Sequence, residues 1–234
     1  MLRSLQLYHP RFFAIGDIHG CHNKLVALLH RLPLDKKKDI LIFMGDYINR
    51  GPDSRKVLDV LLTVKKEMPQ TVFLKGNHEQ ALLEYAEAPD PDMLRMLRIM
   101  GVEATAASYG AAIHGLHQLA CLPPSHREFL SSLQLSYIFG DYRFVHADID
   151  EEMLKAAETG DGGSAVPRQP EAQLLASRRL AREHVPFEEC IVVFGHLPFA
   201  SPLVMPDRIG IDTGAVYGNV LTAVELPALR FYHA

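Results

Sequence analysis

The amino-acid sequence predicts an α/β fold in which a mixed-sheet β-sandwich is flanked by helices. Two observations support this prediction. Apolar strand-like runs alternate with amphipathic helical runs in the first hundred residues, and the chain closes with two strand-like runs joined by a short turn. A strand–helix–strand order implies parallel pairing, whereas a short turn joins antiparallel neighbours. The 234 residues are enough for one domain with a full core, so we expect a single domain over residues 1–234.

The individual elements follow from apolar periodicity, cap residues and turn residues. The predicted early elements are a strand at Phe12–Ile15, a helix at Asn23–Leu32 with Asn23 as its N-cap, a strand at Ile40–Met44, a helix at Asp53–Met68, a strand at Thr71–Lys75 and a helical region from about Glu79 to Gly101. The predicted later strands are Tyr142–His146, Ile191–Gly195, Asn219–Leu226 and Leu229–His233. The stretch from Glu158 to Pro170 is rich in Gly, Pro and Ser, which indicates a surface loop.

Composition narrows the classes of function. The net charge of -4 gives no general attraction to nucleic acid or to an anionic membrane. No apolar stretch approaches the roughly 18 residues that a membrane-spanning helix needs. The 3 cysteines are too few for a disulfide framework or a cysteine-based zinc site, so a reducing cytoplasm is the expected location. We therefore expect a cytoplasmic monomer with no nucleic-acid partner and no membrane partner.

Five apolar strand-like runs each end in side chains that suit metal or phosphate binding. The side chains that follow these runs are Asp17 and His19, Asp46, Asn77 and His78, His146 and Asp148, and His196. In four of the five runs, a glycine lies between the strand and the ligand, where the backbone must turn sharply. Because open α/β sheets bind ligands beyond the carboxyl ends of their strands, we expect these side chains to surround one crevice.

The chemistry of this residue set points to two metal ions. Carboxylate, amide and imidazole ligands without thiolate suit Mn, Fe, Zn or Mg. The set is too large for one four-coordinate ion, and it fits two ions roughly 3.5–4 Å apart that share a carboxylate. Such a pair lowers the pKa of a bridging water and orients a phosphoryl oxygen. Arg50 could clamp the phosphate through two hydrogen bonds, and His78 could supply a proton to the leaving oxygen.

Five short motifs in order resemble those of one known family. They are GDIHG (Gly16–Gly20), GDYINRG (Gly45–Gly51), GNHE (Gly76–Glu79), HAD (His146–Asp148) and FGH (Phe194–His196). The sequence resembles the phosphoprotein phosphatase family of dinuclear metallophosphoesterases from about Phe12 to Leu226, and its short length and the SYG at Ser108–Gly110 resemble the compact bacterial branch. The resemblance implies the calcineurin-like architecture and two divalent ions, with Mn²⁺ favoured over Fe, Zn and Mg.

The resemblance also implies a role for each matching residue. Asp17 and His19 would bind the first metal, Asp46 would bridge both metals, and Asn77, His146 and His196 would complete the second site. Arg50 and Asn77 would contact the substrate phosphate, and His78 would be the leaving-group acid. Arg178 is favoured over its neighbour Arg179 as the second phosphate arginine, although Ala176 lies where bacterial members usually have Trp. Glu79 and Asp148 are expected to orient ligands, and Tyr109 and Tyr217 to line the substrate groove.

Asn49 departs from the family pattern, because that position is usually an Asp that orients the proton-donating histidine. An amide carries no charge, so the imidazolium of His78 is less favoured and turnover is expected to be slower, while metal binding survives. Three explanations stay open: a deliberate substitution that slows turnover, a naturally slow phosphatase, or membership of the branch that hydrolyses symmetric dinucleoside tetraphosphates. Tyr47 and Glu79 favour the protein phosphatases over that branch.

The expected activity is therefore hydrolysis of phosphate esters by a dinuclear-metal-dependent phosphomonoesterase. A serine/threonine protein phosphatase acting on phosphoproteins or on small phosphate esters is the leading hypothesis. A symmetric dinucleoside (diadenosine) tetraphosphate hydrolase is the alternative. A third, non-enzymatic hypothesis is a phosphate-binding sensor in which Asn49 stops turnover.

Overall fold

Two five-stranded sheets pack face to face in the computed structural model, which describes residues 10–150, 170–182, 186–187 and 190–234. With strands numbered in chain order, the first sheet runs β10 (Arg230–His233), β9 (Thr222–Leu226), β1 (Phe12–Ile15), β2 (Ile40–Phe43) and β3 (Val72–Phe73) across its width. The second runs β4 (Ser136–Phe139), β5 (Tyr142–Val145), β6 (Ile191–Phe194), β8 (Arg208–Gly210) and β7 (Leu203–Val204).

The pairing in both sheets is mixed, as the sequence predicts. In the first sheet β1, β2 and β3 are parallel, with Phe12 opposite Ile40, and the closing strands β9 and β10 are antiparallel. In the second sheet β5, β6 and β8 are parallel, while β4 and β7 pair antiparallel at its two edges. Because β1, β2, β3, β5 and β6 are mutually parallel within their sheets, the loops that follow them leave the sandwich at strand carboxyl ends.

Helices cover the outer faces of the sandwich. In the described parts of the chain they are α1 (His22–Arg31), α2 (Ser54–Glu67), α3 (Asn77–Glu87), α4 (Pro91–Ile99), α5 (Val102–Ser108), α6 (Pro124–Ser131), α7 (Glu171–Ala176) and α8 (Arg179–Arg182), with 3-10 turns at Ile113–Leu119 and Ala215–Tyr217. None of these helices is long and apolar enough to cross a bilayer.

Alternating side chains on each strand build separate layers of core. On β1, Phe12 and Ala14 point between the two sheets, whereas Phe13 and Ile15 point into the cluster formed with the helices. This is the two-residue period of a strand that is buried on both faces. A further cluster, which includes Val145 of β5, packs the second sheet against α7 and α8. The sequence therefore predicts the layered α/β sandwich correctly.

The structure corrects several predicted boundaries. The first helix begins at His22 with Cys21 as its N-cap, so Asn23 is not the cap. The helical region predicted from Glu79 contains two helices, because Asp90 caps a new helix with Pro91 in its first turn, and the left-handed Gly101 then separates a third helix. The strands β4, β7 and β8 are absent from the prediction, and residues 158–169 of the predicted loop lie outside the described residues.

Candidate metal centre

The residues that the sequence places at strand ends lie together at one rim of the sandwich. Asp17 follows β1, Asp46 follows β2, Asn77 begins α3 just after β3, His146 follows β5 and His196 follows β6. Two groups of candidate metal ligands form there, and they share one carboxylate. The groups are His19, Asp46 and His78, and Asp46, His146 and His196, with the ligand atoms of each group within 4.8 Å of one another.

Asp46 is the centre of the cluster. Its Oδ2 lies 3.4 Å from His19 Nε2, and its Oδ1 lies 3.6 Å from His146 Nε2. The same Oδ1 accepts the backbone N–H of His78 at the start of α3, at 3.1 Å. A helix N-terminus stabilises a negative charge, so α3 helps to hold the Asp46 carboxylate in its ionised form. One oxygen thus faces each of the two ligand groups, which is the arrangement that a bridging carboxylate needs.

Asn77 joins the two histidines of the second group. Its side-chain Oδ1 lies 2.9 Å from His196 Nδ1 and 3.1 Å from His146 Nε2. The structure therefore brings together Asp46, Asn77, His146 and His196, the four residues predicted for the second metal.

The first predicted set is arranged differently. Both oxygens of Asp17 accept the backbone N–H of His196, each at 3.1 Å, and the charge of Asp46 helps to raise the pKa of Asp17. His78 is the third member of the geometric group around His19 and Asp46.

Two histidines present a lone pair to the centre because their other ring nitrogen is already engaged. His19 Nδ1 donates to the carbonyl of Ile48 at 2.9 Å, and His146 Nδ1 donates to the carbonyl of Met44 at 2.8 Å. A carbonyl can only accept, so the proton lies on Nδ1 and the Nε2 lone pair faces inward. Backbone carbonyls commonly orient metal-binding histidines in this way. The His146 lone pair faces oxygen atoms of Asp46 and Asn77, and these facing acceptors fit a shared cation.

The titration behaviour of the cluster fits cation binding. Burial raises the pKa of Asp46 to about 7, and burial together with the neighbouring carboxylates raises the pKa of Asp17 well above its usual value. Burial lowers the pKa of His19 to about 3 and that of His146 to about 4, so both rings are neutral at neutral pH and keep an unprotonated Nε2. Buried carboxylates facing neutral imidazoles bind divalent cations, which supply the missing positive charge.

The loops that carry the ligands have unusual backbone conformations. Eight non-glycine residues have positive φ in the described ranges, and five of them belong to this rim: His19, Asp46, Asn49, Arg50 and His196. Such conformations cost of order 1–3 kcal/mol each, and they persist where the surrounding structure over-determines them. Two glycines also give the ligands room, because a Cβ on Gly76 would lie 2.1 Å from Asp46 Oδ1 and a Cβ on Gly195 would lie 2.3 Å from Asp17 Oδ1.

Glu79 holds the loop that follows β2. Its carboxylate accepts the backbone N–H groups of Asp46 and Tyr47 at 2.9 Å each, of Ile48 at 3.2 Å and of Gly76 at 3.0 Å. Burial and the charge of Asp46 raise its pKa to about 8, and the backbone N–H groups of Tyr47, Ile48 and Gly76 act in the opposite direction. Glu79 therefore orients the backbone around Asp46, although none of its described bonds reaches a ligand side chain.

His78 and Asn49 form a buried pair beside the metal ligands. Asn49 Nδ2 lies 3.0 Å from His78 Nδ1, and His78 Nε2 lies 3.8 Å from Asp46 Oδ2. Both side chains are at most 1% exposed. Burial and the charges of His19 and Arg50 lower the pKa of His78 far below its ordinary value. The pair has the geometry that a proton donor held by a partner behind it requires.

Arg50 and Tyr217 border the open side of the cluster. Arg50 is exposed, and its Nη1 donates to the inward lone pair of His19 Nε2 at 2.8 Å. The guanidinium carbon lies 5.5 Å from the ring centroid of Tyr217, which is 62% exposed. Lys24 donates to the carbonyls of Ala215 and Asn219 and so holds the loop that carries this tyrosine. A cation and an aromatic face therefore lie side by side at the entrance.

The two candidate phosphate arginines are separated by their partners. Arg179 Nη2 donates to Asp148 Oδ1 at 2.5 Å and is occupied by this ion pair. Arg178 is exposed, and its charge contributes to the lowered pKa of His196, so it is the arginine that acts on the cluster. Asp148 therefore fixes the turn that presents Arg178, and none of its bonds to the described residues is with a ligand side chain. Tyr109 bonds His126, and none of its described contacts is with a ligand.

Three residues at the rim were not predicted from the sequence. Asp212 is buried, its pKa is raised to about 6 by burial, and its charge raises the pKa of Asp17. Thr105 and Ser54 bond the backbone and side chain of Asn49. A signal for Asp212 exists, because it follows the short strand β8 in the same way that the other ligands follow theirs. Thr105 lies in a helix 56 positions along the chain from Asn49, and no local pattern marks it.

The fold and this cluster define a class of protein, the metal-dependent phosphoesterases. The chain belongs to the calcineurin-like phosphoesterase family, whose family model matches residues 10–212. It is similar to the asymmetrical bis(5'-nucleosyl)-tetraphosphatase PrpE of Oceanobacillus iheyensis, with 28% identity over 93% of this chain and 89% of that protein. The corresponding protein of Halalkalibacterium halodurans is 25% identical over 94% of this chain and 92% of its own length.

Solved structures show the same fold. A crystal structure described as a "putative diadenosine tetraphosphatase" superposes with a TM-score of 0.62 at 21% identity, covering 100% of this chain and 95% of that one. A point mutant of a cold-active protein tyrosine phosphatase superposes with a TM-score of 0.65 at 15% identity, covering 97% of this chain and 78% of that one. The family expected from the motifs is therefore confirmed at the level of calcineurin-like phosphoesterases, and its protein-phosphatase branch is not.

Proposed function

We propose that this protein is a metal-dependent hydrolase of dinucleoside tetraphosphates that cleaves the chain of four phosphates asymmetrically. The observation that carries the proposal is the likeness along nearly the whole chain to relatives named as asymmetrical tetraphosphatases. Asymmetric cleavage releases a nucleoside triphosphate and a nucleoside monophosphate. The alternative expected from the sequence, symmetric cleavage to two nucleoside diphosphates, has the same substrate but different products.

The residues that favour a protein phosphatase in the sequence are buried and bond backbone groups of the protein. Tyr47 is fully buried, and its hydroxyl donates to the carbonyl of Leu74 at 2.6 Å. Glu79 is also fully buried and binds only backbone N–H groups in the described contacts. Both residues shape the loop around Asp46, so neither distinguishes a peptide from a nucleotide. A serine/threonine protein phosphatase, which was the leading hypothesis from sequence, becomes the second candidate.

The pair of Asn49 and His78 suits a phosphoanhydride substrate. An uncharged amide gives His78 less support as an acid than a carboxylate would, and a serine alkoxide needs that acid most. A leaving nucleotide phosphate departs as a stable anion, so protonation contributes less to its departure. The same reasoning accounts for Asn49 as a natural residue.

The residues at the rim divide the work of hydrolysis in this proposal. Asp17, His19, Asp46, Asn77, His146 and His196 would hold two divalent ions, with Mn²⁺ the first candidate from the ligand chemistry. When bound, such ions polarise the phosphoryl group and lower the pKa of a water. The Arg50 and Arg178 guanidinium groups would bind the non-bridging phosphate oxygens, and the neutral His78 ring would donate a hydrogen bond from its Nε2–H to the leaving oxygen. Tyr217 would offer its exposed face to a nucleobase.

Product analysis tests the proposal. Purified protein with added Mn²⁺ is incubated in parallel with diadenosine tetraphosphate, with a phosphothreonine peptide and with p-nitrophenyl phosphate, and the products are separated by anion-exchange chromatography. We expect ATP and AMP in equal amounts and dinucleotide turnover that exceeds peptide turnover by at least tenfold. Two molecules of ADP would support symmetric cleavage, and faster release of phosphate from the peptide would overturn the proposal.

A further inference from the structure

The side chain of Asn49 makes a different hydrogen bond at each end. Its Oδ1 accepts the Thr105 hydroxyl at 2.7 Å, and its Nδ2 faces His78 Nδ1 at 3.0 Å. Asn49, Thr105 and Ser54 are all fully buried, so their polar atoms must satisfy one another. The acceptors available to the Thr105 and Ser54 hydroxyl protons therefore determine the orientation of the Asn49 amide.

Only one orientation gives every proton an acceptor. The backbone N–H of Asn49 points at Thr105 Oγ1 at 2.9 Å and at Ser54 Oγ at 3.2 Å, and the two hydroxyl oxygens are 3.0 Å apart. With the amide as observed, Ser54 donates to Thr105, and Thr105 donates to Asn49 Oδ1. With the amide reversed, Thr105 would have to donate to Ser54, and the Ser54 proton would have no acceptor in the described part of the chain.

This orientation decides where His78 carries its proton. The amide NH₂ can only donate, so Nδ1 of the neutral ring accepts and the proton lies on Nε2, the atom that faces Asp46 Oδ2. His19 and His146 have the opposite tautomer, because their Nδ1 atoms donate to backbone carbonyls. This difference matters because distance alone places His78 in a ligand group with His19 and Asp46. A nitrogen that carries a proton cannot bind a metal ion.

We propose that Thr105 is a positioning residue that acts through Asn49 and keeps the proton of His78 on Nε2, so that the neutral ring serves as a hydrogen-bond donor to the leaving oxygen and not as a metal ligand. Ser54 supports this arrangement by donating to Thr105. The donor role rests on the proposed phosphohydrolase function, whereas the tautomer of His78 and its dependence on Thr105 do not.

Imidazole nitrogen NMR on the metal-free protein tests the tautomer directly. Long-range ¹H–¹⁵N spectra are recorded for ¹⁵N-labelled wild type, Thr105→Val, Thr105→Ser and Asn49→Asp at a pH where the ring is neutral. In wild type we expect the His78 proton on Nε2, with His19 and His146 protonated on Nδ1 as internal references. Asn49→Asp should move the His78 proton to Nδ1, because a carboxylate accepts.

The two substitutions of Thr105 separate its hydroxyl from its bulk. Thr105→Val removes the donor to Asn49 Oδ1 at constant shape, so the amide is free to turn and the ratio of the two His78 tautomers should change by about fivefold or more. Thr105→Ser keeps the hydroxyl and should keep the wild-type tautomer. A His78 ring protonated on Nδ1 in wild type, or an unchanged ratio in Thr105→Val, would overturn the proposal. Unchanged His19 and His146 signals report that each variant is folded.

Dependence on the leaving group tests the catalytic consequence. Thr105→Val should lower kcat for an alkyl phosphate by about tenfold more than kcat for p-nitrophenyl phosphate, because only the poor leaving group needs the hydrogen bond from His78. Equal losses on both substrates would remove the link to this hydrogen bond. If wild type cleaves no dinucleotide while the tautomers behave as described, the proposed substrate is wrong and the role of Thr105 in orienting His78 stands.

Discussion

Buried carboxylates have different partners at the two ends of the strands β1 and β2. At their amino ends, Arg11 binds Asp39 at 2.7 Å and Glu225 at 3.1 Å, so both acids have a cation from the chain itself. At their carboxyl ends, Asp17 and Asp46 are equally buried among other acids and histidines. The nearby Arg50 is exposed and bonds His19, so its charge offsets only part of the negative charge of Asp46. The same two strands thus begin at a completed ion network and end at a cluster that is short of positive charge.

The partners of a buried carboxylate indicate whether it has a structural role or binds a ligand. An arginine beside a buried carboxylate removes its need for an external cation, as it also does at Asp207, where Arg208 lowers the pKa. At the carboxyl ends the pKa of Asp46 is raised by burial, and the loop residues around it have strained conformations. Strained backbone and unpaired buried charge both lower the stability of the folded protein. A cluster that combines them therefore indicates a functional site.

The largest effect is expected from removing the Asp46 carboxylate. Asp46→Asn should lower the rate of phosphate hydrolysis by about 10³-fold or more, because metal polarisation is worth several kcal/mol. It should also reduce the metal bound per chain, measured by elemental analysis after equilibrium dialysis. Asp39→Asn is the matched control at the other end of the strands, and it should lower stability while leaving metal content and rate near wild type. Equal loss of metal in both variants would contradict the comparison.

A smaller loss should follow from crowding Asp17. Gly195→Ala places a Cβ 2.3 Å from Asp17 Oδ1, so the carboxylate must move from its position beside Asp46. A displacement of about 1 Å at a catalytic group costs about 10²-fold in rate. Gly140→Ala is the control, because a Cβ there meets nothing within 4 Å and only the cost of its positive φ remains. A Gly195→Ala enzyme with the wild-type rate would show that Asp17 is not needed where it lies.

The aromatic face beside Arg50 should have a moderate effect that depends on the substrate. Tyr217→Ala should raise KM for diadenosine tetraphosphate by about tenfold, because stacking of a base on an aromatic side chain is worth about 1–3 kcal/mol. It should change KM for p-nitrophenyl phosphate much less. Tyr217→Phe keeps the ring and should behave as wild type. A similar rise in KM for both substrates would assign Tyr217 to the phosphate and not to the nucleoside.

The smallest effect on activity is expected from disrupting the ion pairs of Arg11 with Asp39 and Glu225. Arg11→Met leaves Asp39 buried with fewer donors and should cost about 1–2 kcal/mol of folding free energy, since the arginine is partly exposed and screened by solvent. Urea unfolding with and without Mn²⁺ measures this cost, and it should be the same in both conditions. Dependence of the cost on the metal would mean that the two ends of the strands are coupled.

Much of the site could be predicted because its residues immediately follow apolar strands. Parallel strands bring their carboxyl ends to one rim, so Asp17, Asp46, Asn77, His146 and His196 could be placed together without knowing any contact. The layered sandwich could be predicted for the same reason.

Other features depend on packing between distant segments. Thr105 reaches Asn49 only because α5 docks on the loop after β2. Asp148, expected to orient a ligand, instead pairs with Arg179, which is 31 positions along the chain. The strand β8, and with it the place of Asp212, is only three residues long and too short to show a period.

The central claim is that two cations lie side by side and share the Asp46 carboxylate. Electron paramagnetic resonance of the protein titrated with Mn²⁺ tests it most directly, because two Mn²⁺ ions joined by one carboxylate are exchange-coupled. We predict two equivalents bound per chain and a coupled multiline spectrum that Asp46→Asn abolishes. Binding of a single equivalent at saturation, or of two equivalents with the six-line spectrum of isolated Mn²⁺, would contradict the claim.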